Sequence, residues 1–364
     1  MPRTRNHRPQ QRLDRLTLSA LVGGLFVALA LPVAAQQTVQ GLPRVSPHAA
    51  VTQTVGIAEL TVDYHRPGVN DRDVWGVLVP WDQVWRAGAN ENTTFATSHD
   101  VTVAGKALPA GVYGLHLIPR QDAAWTVIFS HDHQAWGSFA YDETRDALRV
   151  DVAAQGAPFE ERLAYRFDEP TTTSATLVLH WADMALPIAI EADTVTHALA
   201  HIEQQLTGLP QFFWQGWNSA ANYCVQSGTD DPRCLEWAER SISNTRQFQN
   251  LMTKAALLRQ QGDEATAAAL EKEAIPMGTE AQINALGYQH LYQRQDVEAA
   301  LALFRKNVDE HPDSWNVHDS LGEALAAQGD TNAAIKSYEK ALSMAPENQH
   351  GRIEGLLQGL RGDA

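Results

Sequence analysis

The spacing of apolar residues changes once along this chain, and that change constrains the fold more than any other feature. Between residues 45 and 195, apolar and polar residues alternate with a period of two, in short runs broken by Gly, Pro and Asp. Such alternation is typical of half-buried strands joined by tight turns. From about residue 197 the period becomes helical and alanine is abundant. We therefore predict an all-β antiparallel sandwich or barrel followed by an all-α domain.

The first part contains at least seven candidate strands and no helical run, and its length suits a single β domain at residues 36–196. The candidate strands are AELTVDY (58–64), HDVTVAG (99–105), GVYGLHLI (111–118), AWTVIFS (124–130), ALRVDVAA (147–154), SATLVLHWA (174–182) and LPIAIEA (186–192).

The helical part repeats itself at an interval of 34 residues, where segment 287–312 aligns with segment 321–346. The matched pairs are Leu291 with Leu325, Asp296 with Asp330, Ala300 with Ala334, Phe304 with Tyr338 and Pro312 with Pro346. This pattern resembles the tetratricopeptide repeat, in which small residues let paired helices approach and an aromatic side chain fills the gap. We expect connecting helices at 197–246 and a tetratricopeptide-repeat array at 247–364, ending in a capping helix.

The resemblance to this repeat also implies which residues face a partner, because the first helix of each hairpin lines the concave surface. Carried over residue by residue, the lining consists of Gln282, Gln289, Tyr292, Gln293, Asn316, Asp319 and Glu323. These positions include no Lys or Arg. We therefore expect a protein partner that offers a polar or basic segment, bound through hydrogen bonds and attraction to the two carboxylates. The alternative is that the array only packs against the β domain.

The first 35 residues have the features of a cleaved signal peptide rather than of a folded element. Five arginines precede the apolar run LTLSALVGGLFVALAL, and small residues follow it at Val33 and Ala35. The run is short for a spanning helix. We expect cleavage close to Gln36, no membrane span afterwards, and a periplasmic or secreted protein. Removing five arginines and Asp14 changes the formal net charge from −15 to about −19, which disfavours nucleic acid as a partner.

The two cysteines, Cys224 and Cys234, are close in sequence and separated by turn-forming residues. In an oxidising compartment such a pair favours a structural disulfide over a metal or redox site. The segment His131 to His133 reads H-x-H, which is a weak candidate for metal ligands, with His116 or His180 as a third ligand. Two exposed loop histidines are the simpler interpretation, and we predict no metal and no cofactor. Common hydrolase, zinc-protease and nucleotide-binding motifs are missing after residue 35.

One block of the β part has a composition that strands and helices seldom need. It runs VDYHRPGVNDRDVWGVLVPWDQVWRAGANENTTF, from Val62 to Phe95. Together with LPAGVYGLHLIP (108–119) and WTVIFS (125–130), it resembles the bacterial family called domain of unknown function 2911. The resemblance covers about residues 45–195 and implies an exported protein, in some members with C-terminal tetratricopeptide repeats, but it implies no reaction. Trp81 departs from the family pattern, which has a tyrosine or a smaller residue there.

The block allows two interpretations, one structural and one functional. In the structural one, arginines pair with carboxylates to fasten a long loop, with tryptophans beneath it. In the functional one, Arg86 and Asn90 orient an anionic or polyhydroxy ligand while Glu91 serves as acceptor or base. The ligand-binding candidates are Arg66, Arg72, Trp75, Trp85, Arg86, Asn90, Glu91 and Thr93.

Three functional hypotheses follow for the whole chain. The favoured one is an exported binding or scaffold protein, whose repeats engage a protein and whose β domain holds a small ligand. A second is an envelope enzyme of unassigned class centred on Arg86, Asn90 and Glu91, with Glu91 as the candidate catalytic residue. A third is a carbohydrate-binding module that uses tryptophans as platforms for a glycan. A single glutamate is weak evidence for glycoside hydrolysis, which needs two carboxylates.

Overall fold

A computed structural model of the protein describes residues 42–362, which form a β domain followed by a helical domain. The strands are β1 (His48–Val55), β2 (Ala58–His65), β3 (Thr94–Thr97), β4 (Val101–Val103), β5 (Lys106–Leu108), β6 (Gly111–Ile118), β7 (Trp125–Ser130), β8 (Asp146–Val152), β9 (Gln155–Asp168) and β10 (Ser174–Glu191). The predicted order, all-β followed by all-α, is confirmed.

The strands form two antiparallel sheets. One has six strands in the order β1-β2-β3-β6-β7-β8, and the other has four in the order β5-β4-β10-β9. One cluster of buried apolar side chains from both sheets fills the space between them, including Leu60, Phe95, Leu117 and Leu179. Along β2 and β3, Leu60 and Phe95 alternate with exposed or partly exposed residues, as the period of two predicts. The domain is therefore a sandwich with one core.

The strand prediction was incomplete. Residues 174–182 and 186–192, expected as two strands, belong to the single strand β10, which absorbs register shifts around Ala182. Strands β1, β3, β5 and β9 were missed. β1 and β9 are edge strands whose exposed positions include polar residues that weaken the apolar alternation. β3 and β5 have four and three residues, too few to show a period.

The helical domain contains ten α-helices within residues 42–362, arranged largely as consecutive pairs. They are α1 (Thr194–Gln205), α2 (Trp214–Ser227), α3 (Arg233–Asn244), α4 (Phe248–Gln260), α5 (Glu264–Ala274), α6 (Glu280–Tyr288), α7 (Val297–Glu310), α8 (Trp315–Gln328), α9 (Thr331–Leu342) and α10 (Glu347–Gly362). A π-helical turn, Gln289–Gln293, extends α6.

The segment expected to connect the domains is itself paired. Helices α2 and α3 pack against each other and against α4, and the disulfide Cys224–Cys234 joins them with a Cα–Cα distance of 5.9 Å. The predicted disulfide is thus confirmed. It closes a short loop within one helix pair, which restricts the unfolded chain at that point.

The repeat chemistry predicted from the 34-residue period is present. A Cβ added to Gly287 would lie 2.5 Å from the Phe304 ring, and one added to Gly322 would lie 3.0 Å from the Tyr338 ring. The absence of a side chain at both glycines therefore lets an aromatic ring of the following helix approach the backbone. Helix α10 covers the last repeat, because Ile353 and Leu357 pack against Tyr338.

The predicted signal peptide lies outside the described residues. Among residues 42–362, no helix combines the length and the apolar character that crossing a membrane requires.

Candidate functional site

The long loop between β2 and β3 contains the sequence block that suggested a ligand site, and its tryptophans belong to the core. Trp75 and Trp85 pack against Trp125 and Trp181, with the Trp85 and Trp181 rings stacked at 5.8 Å. Trp75 is also 5.8 Å from Trp181, edge to face. Indole rings that contact one another in this way bury large apolar areas. Trp75 and Trp85 therefore hold the loop to the sandwich, and Trp85 does not offer the ring face stacked on Trp181 to a ligand.

Two arginines of the block fasten the loop by hydrogen bonds to backbone carbonyls, not to the carboxylates expected from the sequence. Arg66 donates from Nε to the carbonyl oxygen of Leu163 at 2.8 Å, which ties the loop to β9. Arg72 donates to the carbonyl oxygens of Val69 at 2.9 Å and Gly68 at 2.7 Å. Both guanidinium groups thus serve the loop's own structure.

Asn90 and Thr93 also take part in the loop's internal bonding. Thr93 is fully buried, and its hydroxyl donates to the carbonyl oxygen of Ala87 at 3.1 Å. Asn90 has a left-handed backbone with φ of 59°, and its amide donates to the carbonyl oxygen of Ser46 at 3.2 Å. Their side chains position the chain on either side of Glu91.

Arg86 differs from the other arginines of the block. Trp85 forms an antiparallel bridge with Leu117, and both of these side chains face the core. Arg86, next in sequence, therefore lies beside His116 on the outer face of the six-stranded sheet. Its guanidinium is half-buried, and burial lowers the pKa of Arg86. Within residues 42–362, Arg86 forms no ion pair or hydrogen bond, and its Nε is buried without a partner.

A ring of polar atoms surrounds Gly114 on the same outer face. A Cβ at Gly114 would lie 2.9 Å from the Asp132 carbonyl oxygen, 3.2 Å from His116 Nε2 and 3.3 Å from Asn92 Nδ2. The glycine therefore lets these three polar atoms approach the strand more closely than a side chain would allow. Asn92 is 5% exposed, and its Oδ1 has no hydrogen-bond partner within the described residues.

His116 is held in one orientation, because its Nδ1 is 2.9 Å from the Ser138 hydroxyl. Burial lowers the pKa of His116 to about 4, against the opposing charge of Asp146. The ring is therefore neutral at physiological pH. We call Arg86, Asn92, Gly114, His116 and Ser138 the outer-face cradle.

Glu91, the candidate catalytic residue, contacts His65 rather than Arg86. The two side chains are 3.4 Å apart between Glu91 Oε2 and His65 Nε2, and His65 is nearly buried at the end of β2. Asn92 follows Glu91 directly, which places this pair next to the cradle.

The sequence predicted Arg86 as a ligand-binding residue, but it did not point to His65 or Asn92 and suggested His116 only as a possible third metal ligand. One signal was available for His116, because in the alternating strand 111–118 it is the polar residue between Leu115 and Leu117. A histidine at an outward position of a central strand is a candidate for contact with whatever covers that face. Here the covering segment is the loop that contains Gly137 and Ser138.

The repeats present a second candidate surface, centred on two tyrosines. The rings of Tyr288 and Tyr292 are parallel within 2° at 6.0 Å. Tyr288 donates to Glu323 at 2.9 Å, and Tyr292 donates to the other oxygen of the same carboxylate. Tyr292 stays 60% exposed. We call Gln289, Tyr292, Gln293, Asn316 and Glu323 the repeat surface.

The charge of this surface differs from the sequence prediction. Asp319 is buried, and Arg352 of α10 donates to its Oδ2 at 2.8 Å. A cation therefore stands beside the lining that was expected to have none, and Asp319 is not an exposed attractive charge. Gln282 accepts from the backbone of Thr279 in a capping box, so its side-chain oxygen is used to start α6.

The weak metal candidates lie at the end of β7 and in the loop after it. His131 is exposed, and His133 Nδ1 is 3.2 Å from the carbonyl oxygen of His131. Among residues 42–362, no group of three or more His, Cys, Asp or Glu side chains is arranged to hold a metal ion.

Each of the two domains contains a segment that matches a known protein family. Residues 46–190 match the family described as Protein of unknown function (DUF2911), and residues 315–348 match the tetratricopeptide repeat. The family resemblance seen in the sequence is thereby confirmed. No curated protein matches the chain.

Part of the chain is also similar to solved repeat proteins, at low sequence identity. A thermophilic TPR protein of Thermus thermophilus is 19% identical, covering 45% of this chain and 88% of its own, with a TM-score of 0.31. The C-terminal part of a TPR repeat-containing protein from Cytophaga hutchinsonii is 16% identical, covering 42% and 60%, with a TM-score of 0.32. MamA from AMB-1 is 16% identical, covering 41% and 81%, with a TM-score of 0.30.

Proposed function

We propose that the protein is an exported scaffold that holds a segment of a partner protein on its repeat surface. The tetratricopeptide match at residues 315–348 supports this assignment, because stacked helical repeats create extended surfaces used for binding. The observation that carries the proposal is the geometry of Tyr292.

Tyr292 has the properties of an interface anchor. Its ring is largely exposed, yet the hydrogen bond to Glu323 and the stack on Tyr288 hold it in place. The hydrogen bond that Tyr292 donates to Glu323 raises the pKa of Tyr292 to about 12, with burial as the second cause, so the hydroxyl remains a donor. A tyrosine that is rigid before binding loses little conformational entropy when a partner covers it.

The π-helical turn that carries Tyr292 also presents side-chain amides. Gln289 and Gln293 are exposed, and Asn316 of the next repeat is partly exposed. These groups donate and accept hydrogen bonds without charge. Because Arg352 compensates Asp319, the partner's binding should depend less on salt than two free carboxylates would imply. The preferred partner is a polar segment with an apolar side chain that packs on Tyr292.

Site-specific photo-crosslinking in the native envelope tests this proposal. A photoreactive residue at Gln289 should capture a defined protein, and Tyr292→Ala in the same background should reduce that product at least about tenfold. The matched control places the photoreactive residue at Phe159, an exposed aromatic of β9. Equal capture of the same protein at both positions, or no effect of Tyr292→Ala, would show that the repeat surface is not the interface.

Export is a separate part of the proposal and has its own test. Its support is the basic segment, apolar run and small residues of the first 35 positions. Mass spectrometry of the protein from a cell-envelope or culture fraction should find an N-terminus at or within a few residues of Gln36. An intact Met1 in that fraction contradicts cleavage.

A further inference from the structure

We propose that the outer-face cradle of the β domain binds the carboxylate of a small organic acid whose body is apolar. This inference is independent of the repeat surface, because it concerns other residues on another domain.

Arg86 carries a half-buried positive charge that no group among residues 42–362 compensates. A guanidinium that leaves water is ordinarily paired, since burying a charge without a partner costs free energy. Acidic residues outnumber basic ones by 43 to 28 in this chain. Even so, within residues 42–362 no carboxylate pairs with Arg86 and no carbonyl accepts from it. Its planar set of donors matches a carboxylate, which accepts two parallel hydrogen bonds.

A second polar atom without a partner lies on the same outer face. His116 is beside Arg86, and its Nε2 makes no hydrogen bond within the described residues while Nδ1 contacts the Ser138 hydroxyl. With its proton on Nε2, the ring donates to a carboxylate oxygen placed near Gly114. Asn92 lies close by but does not bind the carboxylate, because its Nδ2 already donates to the Asp132 carbonyl oxygen at 3.2 Å and its Oδ1 is an acceptor.

Exposed aromatic side chains near Arg86 indicate that the rest of the ligand is apolar. A Cβ at Gly137 would lie 3.3 Å from Arg86 Nη1, so the covering loop passes directly over the guanidinium. On either side of Gly137, Trp136 is 59% exposed and Phe139 is 87% exposed. Large aromatic side chains exposed beside a cation suit a ligand with an anionic end and an apolar body.

The charge count favours a carboxylate over a phosphate. Arg86 is one cation, and His116 is neutral at physiological pH because of its burial. One positive group balances a monoanion, whereas a phosphate dianion would remain undercompensated.

Calorimetry on the full exported chain tests the assignment, with benzoate, acetate and inorganic phosphate as probes. Benzoate should bind, acetate should bind more weakly because it lacks the apolar body, and phosphate should bind most weakly. Arg86→Met should weaken benzoate at least about tenfold, since it removes a charge-assisted pair of hydrogen bonds. Arg166→Met is the matched control, because Arg166 pairs with Asp168 on the exposed part of β9.

A second variant keeps the test independent of Arg86. Gly114→Ala puts a methyl group 2.9 Å from the Asp132 carbonyl oxygen and 3.2 Å from His116 Nε2, which displaces the ring. It should also weaken benzoate binding, with folding checked by thermal unfolding. In an NMR spectrum of the arginine side chains, the Arg86 Nε–H resonance should shift when benzoate is added. Absence of benzoate binding, binding unchanged in Arg86→Met, or phosphate binding more tightly than benzoate would each overturn the proposal. None of these outcomes depends on whether a protein occupies the repeat surface.

Discussion

Glu271 in the helical domain and Arg86 in the β domain are both at least half-buried charged side chains, but within the described part of the chain only Glu271 has partners of opposite charge. Glu271 is buried on α5 and contacts Arg259 at 2.8 Å, His290 at 2.8 Å and Arg294 at 2.9 Å. Arg86 is half-buried with no such partner among residues 42–362. The charge of Glu271 therefore stabilises the fold, whereas the charge of Arg86 remains available to a ligand.

The Glu271 network fastens consecutive repeats to each other. Burial alone would raise the pKa of Glu271, but hydrogen bonds from His290 and Arg294 and the charges of Arg294 and Arg259 outweigh it. The pKa is lowered to about 2. The carboxylate therefore joins α4, α5 and the π-helical turn that contains Tyr292, so the network also supports the repeat surface.

The largest effect we expect is from breaking this network. Glu271→Gln leaves two arginines around a neutral group and should lower the free energy of unfolding by about 3–5 kcal/mol, as for other buried pairs that lose one partner. Chemical denaturation measures it. Glu264→Gln is the control, because Glu264 pairs with the same Arg259 but is exposed, and it should cost less than about 1 kcal/mol. Equal effects of the two variants would remove the contrast with Arg86.

Acid should weaken the same network in a defined pH range. The folded pKa of Glu271 is about 2, below its ordinary value of 4.5. Its contribution is therefore fully present above pH 4.5 and is lost as the pH falls towards 2, by about 3 kcal/mol. The stability difference between the wild type and Glu271→Gln, measured from pH 6 to pH 2, should shrink in that interval. A difference independent of pH would contradict the assigned pKa.

Asp319 is only partly compensated, in contrast to Glu271, so its substitution should change the free energy of unfolding less than Glu271→Gln does. One of its oxygens accepts from Arg352, while the buried Oδ1 has no partner within the described residues. Burial raises the pKa of Asp319, against the hydrogen bond and charge of Arg352. Asp319→Asn loses the ion pair but also its desolvation cost, so the free energy of unfolding should change by less than about 1.5 kcal/mol. A loss as large as that of Glu271→Gln would place Asp319 among the fully compensated charges.

The period of two predicted the inner strands well, because β6 and β7 alternate between core and outer face. It failed at the edge strands β1 and β9, where a sheet edge imposes no apolar pattern, and at β3 and β5, which are too short to show one. The tetratricopeptide repeats were readable because buried small and aromatic residues, Ala300 with Ala334 and Phe304 with Tyr338, recur after 34 residues.

The site was less predictable than the fold. The arginines of the β2–β3 loop have similar sequence surroundings, and only contacts with residues far away in the sequence distinguish them. Arg66 is satisfied by the carbonyl of Leu163, 97 residues later. Asp319 is paired by Arg352, 33 residues later and on another helix. No local pattern around Arg66, Arg86 or Asp319 encodes these contacts. Likewise, the sequence around Trp85 is the same whether its ring forms a binding platform or stacks on Trp181, as it does here.

Arg86→Met should have the smallest effect and the opposite sign. Methionine keeps the apolar stem but removes the uncompensated charge, so the unliganded variant should be more stable than the wild type by about 1 kcal/mol. A side chain that costs stability unless a ligand is bound is typical of a functional site.

Thermal unfolding of the wild type and Arg86→Met, each with and without benzoate, tests this account most directly. We predict that the unliganded variant has the higher Tm, and that benzoate raises the Tm of the wild type alone, since only a protein that binds the ligand is stabilised by it. A variant less stable than the wild type, with benzoate raising both melting temperatures equally, would show that Arg86 is a structural residue and contradict the account.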